Sequence, residues 1–243
     1  MNYAEEIAKK ALEIKAIKLN PTNPFQWASG YQMPIYNDNR MFLFHPTIRQ
    51  TIQDNFRELL HKELGISDEI VIAGTSTAGI PWASFVANSI FHPMIYIRDK
   101  PKDHGLKNQI EGIDAEENLN GQRVILIEDL VSTGGSSVNA VQAIRNANGI
   151  CDYCFSIFNY GFREAQEMFE GKRPYDKEKT KSLTTPCNVR SILTYDKLLE
   201  VAKQTGYINS EQEKMLREWR EDPFNWGEKH GFPKIEKTKD KLI

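Results

Sequence analysis

The chain has 243 residues, enough for one large domain or one domain carrying small appendages, and its 40% hydrophobic and 26% charged residues are an ordinary globular balance. Its formal net charge of −2 offers no general attraction to nucleic acid or an anionic membrane, so any phosphate chemistry must come from a local site. No run reaches the roughly 18 apolar residues of a membrane helix, Met1–Glu6 lacks a signal-peptide pattern, and three cysteines make no even disulfide framework, which predicts a cytoplasmic protein.

Apolar positions Ile7, Ala8, Ala11, Leu12 and Ile14 recur at helical spacing and predict a helix over 3–17. A loop rich in Asn, Pro and Gly follows from Asn20 to Asn39. A second helix is predicted over 46–64, opening on Pro46 and stopping before Gly65. The rhythm then changes to strand 69–73, a loop from Gly74 to Gly79, helix Pro81–Ile90, strand 93–97 and a polar stretch over 98–121. Arg123–Ile127 is a nearly continuous apolar strand, of the kind buried on both faces of a parallel sheet. Helix 136–148, strand 151–158, helix 163–169 and strand 189–193 come next, and the tail carries two helical patterns, 195–205 and 210–220. The alternation implies an α/β fold with a mostly parallel sheet, whose ligands lie beyond the carboxyl ends of the strands. The loops at 74–79, 98–113 and 128–137 are therefore the places for a site.

Cys151 and Cys154 make a CxxC spacing within the strand over 151–158. Residues three apart on a regular strand face opposite sides, which suits neither metal nor redox pairing and predicts a packing role.

The most informative stretch is Val124-Ile125-Leu126-Ile127-Glu128-Asp129-Leu130-Val131-Ser132-Thr133-Gly134-Gly135-Ser136-Ser137. An apolar strand ends in two acids, and a turn of hydroxyls and glycines then opens a helix. Free amides at a helix start, with Ser and Thr hydroxyls beside them, suit a phosphate dianion. Adjacent carboxylates would repel that phosphate unless they serve ribose hydroxyls or a hydrated magnesium ion. Neither the GxxxxGK[ST] loop nor the GxGxxG fingerprint is present. This stretch resembles the phosphoribosyl pyrophosphate signature of type I phosphoribosyltransferases. The resemblance implies that Glu128 and Asp129 hold the ribose hydroxyls, with Leu130 and Val131 beside them, and that Ser132, Thr133, Gly134, Gly135 and Ser136 hold the 5-phosphate.

A second constellation, Arg98-Asp99-Lys100-Pro101-Lys102-Asp103-His104-Gly105, places four potential cations directly after a strand and ahead of a glycine-containing segment. Such a loop can close on a pyrophosphate and exclude water. With Glu111-Gly112 after it, it is similar to the lid of orotate phosphoribosyltransferases. That likeness implies Arg98, Lys102 and His104 as pyrophosphate ligands and Asp103 as a catalytic lid residue. Phe25-Gln26-Trp27-Ala28-Ser29-Gly30 with Pro34-Ile35-Tyr36 resembles the family's base-covering segment, and Gly74–Pro81 resembles its pyrophosphate loop.

The resemblance covers roughly residues 20–220. It implies a type I phosphoribosyltransferase domain over 1–194, a mostly parallel sheet flanked by helices with an N-terminal hood, and a C-terminal helical extension over 195–243. It also implies magnesium as cofactor, held mainly by substrate and water, and a homodimer whose lid reaches the neighbouring site. The activity implied is transfer of 5-phosphoribose from phosphoribosyl pyrophosphate to orotate. Ser132, Ser29, Tyr36 and Arg163 are the candidate orotate contacts. The sequence departs from the family at Ala28 and at Thr77-Ala78, where members carry lysines, and at Gly161, near the base-contacting arginine. Asp99 stands where a second basic residue is common. A transferase for another base is the alternative; a nucleic-acid-binding sensor of phosphoribosyl pyrophosphate would need a basic surface or an added domain.

Overall fold

The computed structural model describes residues 3–27, 29–65, 69–100, 109–114, 118–172 and 183–235. Helix α1 (Tyr3–Glu13) buries Ile7, Ala8, Ala11 and Leu12, the stripe its spacing predicts. It stops four residues short of the predicted end, because Lys15 turns to a positive φ of 62° and Ile17–Leu19 (β1) pairs with Ile35–Asn37 (β4). The predicted loop 20–39 thus also holds a small hairpin, Phe25–Gln26 (β2) against Gln32–Met33 (β3). These strands of two or three residues are too short to carry a periodicity in the sequence.

A 3₁₀ turn over Asn39–Phe44 leads into α2 (Pro46–Leu64), which opens and closes as predicted, with Gly65 at φ 81° accepting the chain after its last turn. Then follow β5 (Ile70–Thr75), α3 (Gly79–Ile90), β6 (Met94–Ile97), β7 (Ile110–Glu111), β8 (Arg123–Val131), α4 (Gly135–Asn146), β9 (Ile150–Asn159), α5 (Arg163–Phe169) and β10 (Asn188–Thr194). Helices α6 (Tyr195–Gln204), α7 (Ser210–Glu221) and the single turn α8 (Trp226–Lys229) complete the chain.

The central sheet has the order β10-β9-β8-β5-β6-β7, parallel except where β7 returns against β6. From β5 the chain winds outward through α3 to β6; from β8 it winds the other way through α4 and α5. The two directions meet between β5 and β8, so the topological switch point lies between the carboxyl ends of those strands. All six residues of β5 are buried, as are Val124 to Glu128 of β8. One face packs Ile70, Ile72, Ile125 and Ile127 against α1, α2, α3 and the C-terminal helices; the other packs Val71, Ala73, Val124 and Leu126 against α4 and α5.

The structure corrects two further expectations. Strand β8 does not end at the acids but runs through them to Val131, because Leu130 and Val131 still pair with Phe158 and Asn159 of β9. Cys151 and Cys154 do not face opposite sides. Arg123 pairs with Ile150 and Ile125 with Tyr153, so β9 carries one extra residue there, and this bulge puts both cysteines on the α4 side with Cys187. Contact with the Cys187 thiol and burial push the Cys151 thiol well up, and burial does the same to Cys154. All three are free, buried thiols, and packing remains their role.

Candidate active site

Strand order brings Thr75, the last residue of β5, beside Glu128 of β8. Glu128 is only 5% exposed, and each oxygen is engaged. Thr75 Oγ1 donates to Oε1 at 2.7 Å, the Asp129 amide donates to the same atom at 3.1 Å, and Ser137 Oγ of α4 donates to Oε2 at 2.9 Å. One carboxyl therefore ties together β5, β8 and the first turn of α4. Burial and then the Asp129 charge push it up to about 8, against the opposing effect of the two hydroxyls.

Asp129 is less enclosed, and burial raises its carboxyl as well. Its backbone oxygen accepts from Asn39 Nδ2 at 2.7 Å, which fastens the 3₁₀ turn to the site. Arg40, forked on Asp38 at 2.7 and 3.0 Å, is also drawn by the Asp129 charge. Asn39, Arg40 and Ser137 escaped the sequence reading. A single polar residue in a loop, or a serine within a serine-rich turn, carries no local signal of a distant carboxylate.

Beyond the acids, Leu130 packs against the first core and Val131 is buried in the second, so both are framework residues of β8. Ser132 and Thr133 are half-exposed, and Gly134 opens α4 at φ 85°. A Cβ on Gly134 would stand 3.2 Å from the Ala165 Cβ, so glycine meets both the backbone and the packing demand. Gly135 and the exposed Ser136 begin the helix, whose first-turn amides have no helical acceptor, an arrangement that suits an anion.

Thr75, Ser76, Arg98, Asp99, Ser136 and Asn139 line one small crevice next to this helix start. Arg98 is half-exposed; its guanidinium reaches Glu111 at 3.4 Å, and its amide donates to Gln109 O at 2.8 Å. The two flanks of the lid segment are thereby paired, and the Asp99 amide donates to Ser76 Oγ at 3.1 Å. Lys102, Asp103 and His104 lie outside the described residues. Ala28 does too.

The hood candidates are placed unequally. Ser29 is exposed on the β2–β3 turn, and Tyr36 is 38% exposed with the Lys18 ammonium 5.1 Å from its ring centre. Arg163 opens α5 with its side chain 90% exposed and its Nε on Glu167 at 2.7 Å, away from any described contact with the acids. Gly161 has φ 71° and open space where a side chain would start. Among the described residues no group of three His, Cys, Asp or Glu side chains is arranged to hold a metal ion. None of the described helices is long and apolar enough to cross a membrane.

The doubly wound sheet flanked by helices, with an acid pair on β8 and a glycine turn opening α4, has the fold of the type I phosphoribosyltransferase class. The family model described as phosphoribosyl transferase domain matches residues 41–154. Orotate phosphoribosyltransferase of Listeria monocytogenes serotype 4b is 41% identical over 227 residues, covering 93% of this chain and all of that one. The chain belongs to the orotate phosphoribosyltransferase family. Among solved structures, UMP synthase of Leishmania donovani superposes with a TM-score of 0.66 at 26% identity, over 89% of this chain and 42% of that longer one. Orotate phosphoribosyltransferase of Aeropyrum pernix shares the fold, with a TM-score of 0.64 at 22% identity, over 84% of this chain and 99% of that one.

Proposed function

We propose that the chain transfers 5-phosphoribose from phosphoribosyl pyrophosphate to orotate, giving orotidine 5′-phosphate and pyrophosphate in pyrimidine biosynthesis. The observation that carries this is the Glu128–Asp129 pair at the switch point, set between the α4 cradle and the Thr75–Gly79 loop.

The 5-phosphate binds the amides and hydroxyls of Ser132, Thr133, Gly134, Gly135 and Ser136. Asp129 accepts from the ribose hydroxyls directly, while Glu128, its oxygens engaged by Thr75 and Ser137, holds the strand end that presents them. Arg98, Lys102 and His104 donate to the pyrophosphate, and Asp103 assists from the lid. As the bond from C1 to the pyrophosphate oxygen breaks, positive charge grows on the ribose ring and negative charge on the leaving group. Donors to the leaving group gain strength at that moment, each worth on the order of 3 kcal/mol. Asp129 is the carboxylate of the pair that would help to hold a magnesium ion, which would supply further neutralisation of the same charge. Orotate, already anionic, attacks C1 from the opposite face and needs no strong base and no covalent enzyme intermediate.

Ser29, Tyr36, Ser132 and Arg163 are the proposed orotate contacts. The lid acts across a homodimer; Phe44 and Phe91, 88% and 95% exposed, are apolar surface that a second copy would cover. Three free thiols suit a cytoplasmic setting.

The test is the ultraviolet absorbance of orotate with purified protein, magnesium and phosphoribosyl pyrophosphate. Loss of signal that needs all three, and falls about 100-fold or more in Lys102→Ala, is the expected result. Turnover of another base but not orotate would keep the phosphoribosyl chemistry and reject the substrate.

A further inference from the structure

Residues 25–33 form a hairpin whose strands, β2 and β3, have two residues each. Such a hairpin has no stability of its own. Its turn is tight: the Trp27 amide donates to Tyr31 O at 2.9 Å and the Gly30 amide to Trp27 O at 2.8 Å, with Gly30 at φ 86°. Much of what fastens it to the body comes from the far end of the chain. Trp219 of α7, fully buried, donates Nε1 to Met33 Sδ at 3.1 Å and meets the Trp27 ring edge-on at 6.3 Å. Phe224 packs edge-on against Tyr31 at 5.2 Å, and the Lys234 ammonium sits 4.3 Å from the centre of the same ring. The Ile235 amide donates to Gly30 O at 3.0 Å, and a Cβ on Gly30 would collide with the Ile235 carbonyl oxygen.

Trp27 is also linked to the end of β8. Its ring lies 6.2 Å from that of Tyr160, which in turn packs on Trp219 at 5.4 Å. The Tyr160 amide donates to Val131 O at 3.1 Å, at the end of the strand that carries Glu128 and Asp129. A continuous set of contacts thus runs from the tail through the hairpin to the phosphoribosyl loop.

We propose that residues 219–235 are a positioning element for the reaction, a strap that holds hairpin 25–33 at a fixed height over the base, with Trp219 and Ile235 as its anchors. This rests on the hairpin being the base cover. A cover that is free to leave its closed position lowers apparent affinity by the fraction of time it is absent. The strap removes that loss. Its described contacts are with the hairpin and the aromatic cluster around Tyr160, so its effect falls on the base and not on the chemical step.

The test compares the full-length protein with Ile235→Pro, which deletes the amide donor to Gly30, and with a chain ending at Gly231. The expected result is a rise of about five- to tenfold in KM for orotate, the scale of one or two lost contacts, with KM for phosphoribosyl pyrophosphate and kcat within about twofold. Hydrogen exchange should quicken in residues 25–33 and stay unchanged in β5 and β8, a pattern that a general loss of stability would not give. An unchanged orotate KM in both variants, or unchanged exchange in the hairpin, overturns the strap. A wild-type protein that turns over no orotate overturns the functional reading instead, and the exchange comparison still decides whether the strap holds the hairpin.

Discussion

Thr75 and Glu128 stand side by side at the carboxyl ends of two neighbouring parallel strands, 53 positions apart in the chain, with the hydroxyl donating to the carboxyl at 2.7 Å. That bond sits at the switch point of the sheet and fixes the acid that precedes the Ser132–Gly135 turn. Taking this donor away from a buried carboxyl oxygen costs about 1–3 kcal/mol. Thr75→Val should therefore lower kcat/KM by roughly 10- to 100-fold, with Thr75→Ser close to wild type. Steady-state kinetics with both substrates varied would check this, and equal activity in Val and Ser variants would remove the bond from the mechanism.

Stability should depend on pH through Glu128. Its carboxyl rises from an ordinary 4.5 to about 8 on folding, so between those values the native state keeps a proton that the unfolded chain has released. The contribution is present in full below 4.5 and is lost as pH rises toward 8. The urea midpoint of the ligand-free protein should thus fall between pH 5 and pH 8. Glu128→Gln, which cannot ionise, should flatten that slope and gain on the order of 2 kcal/mol over wild type at pH 8 relative to pH 5. An identical slope in the two proteins would show that Glu128 does not carry the proton.

Gly79 begins α3, directly after the loop that follows β5. A Cβ there would lie 2.5 Å from both Ile127 O and Thr75 Oγ1. Gly79→Ala should push Thr75 away from Glu128 and destabilise the fold by about 1–3 kcal/mol, the range of core overpacking. Activity should fall at least as far as in Thr75→Val. A denaturant titration beside the kinetics separates the two effects, and wild-type behaviour in both would mean that the loop absorbs the methyl group.

Arg163 is paired with Glu167 at 2.7 Å, but the side chain is 90% exposed. An exposed pair at this helical spacing is worth only about 0.3–0.5 kcal/mol. The guanidinium can leave Glu167 for an anionic base at little cost. Arg163→Ala should raise KM for orotate several-fold, by about 1 kcal/mol, and leave KM for phosphoribosyl pyrophosphate unchanged. No change in either constant would assign the orotate carboxylate to another group.

The sequence by itself determined the alternation of strands and helices, the start and stop of α2 at Pro46 and Gly65, and the acid pair followed by the hydroxyl and glycine turn. These are local properties: periodicity, capping and turn chemistry are set by residues a few positions apart. The tertiary structure alone decided what those residues touch. Asn39 meets Asp129 across 90 positions and Trp219 meets Met33 across 186, pairings that depend on strand order and helix docking. One inserted residue in β9 moved Cys151 and Cys154 to a common face, which the regular two-residue period could not foretell. Pattern reports which side of an element is apolar. Which acid is buried and which is left more open depends on the neighbours that the fold supplies, here Thr75 and Ser137 around Glu128.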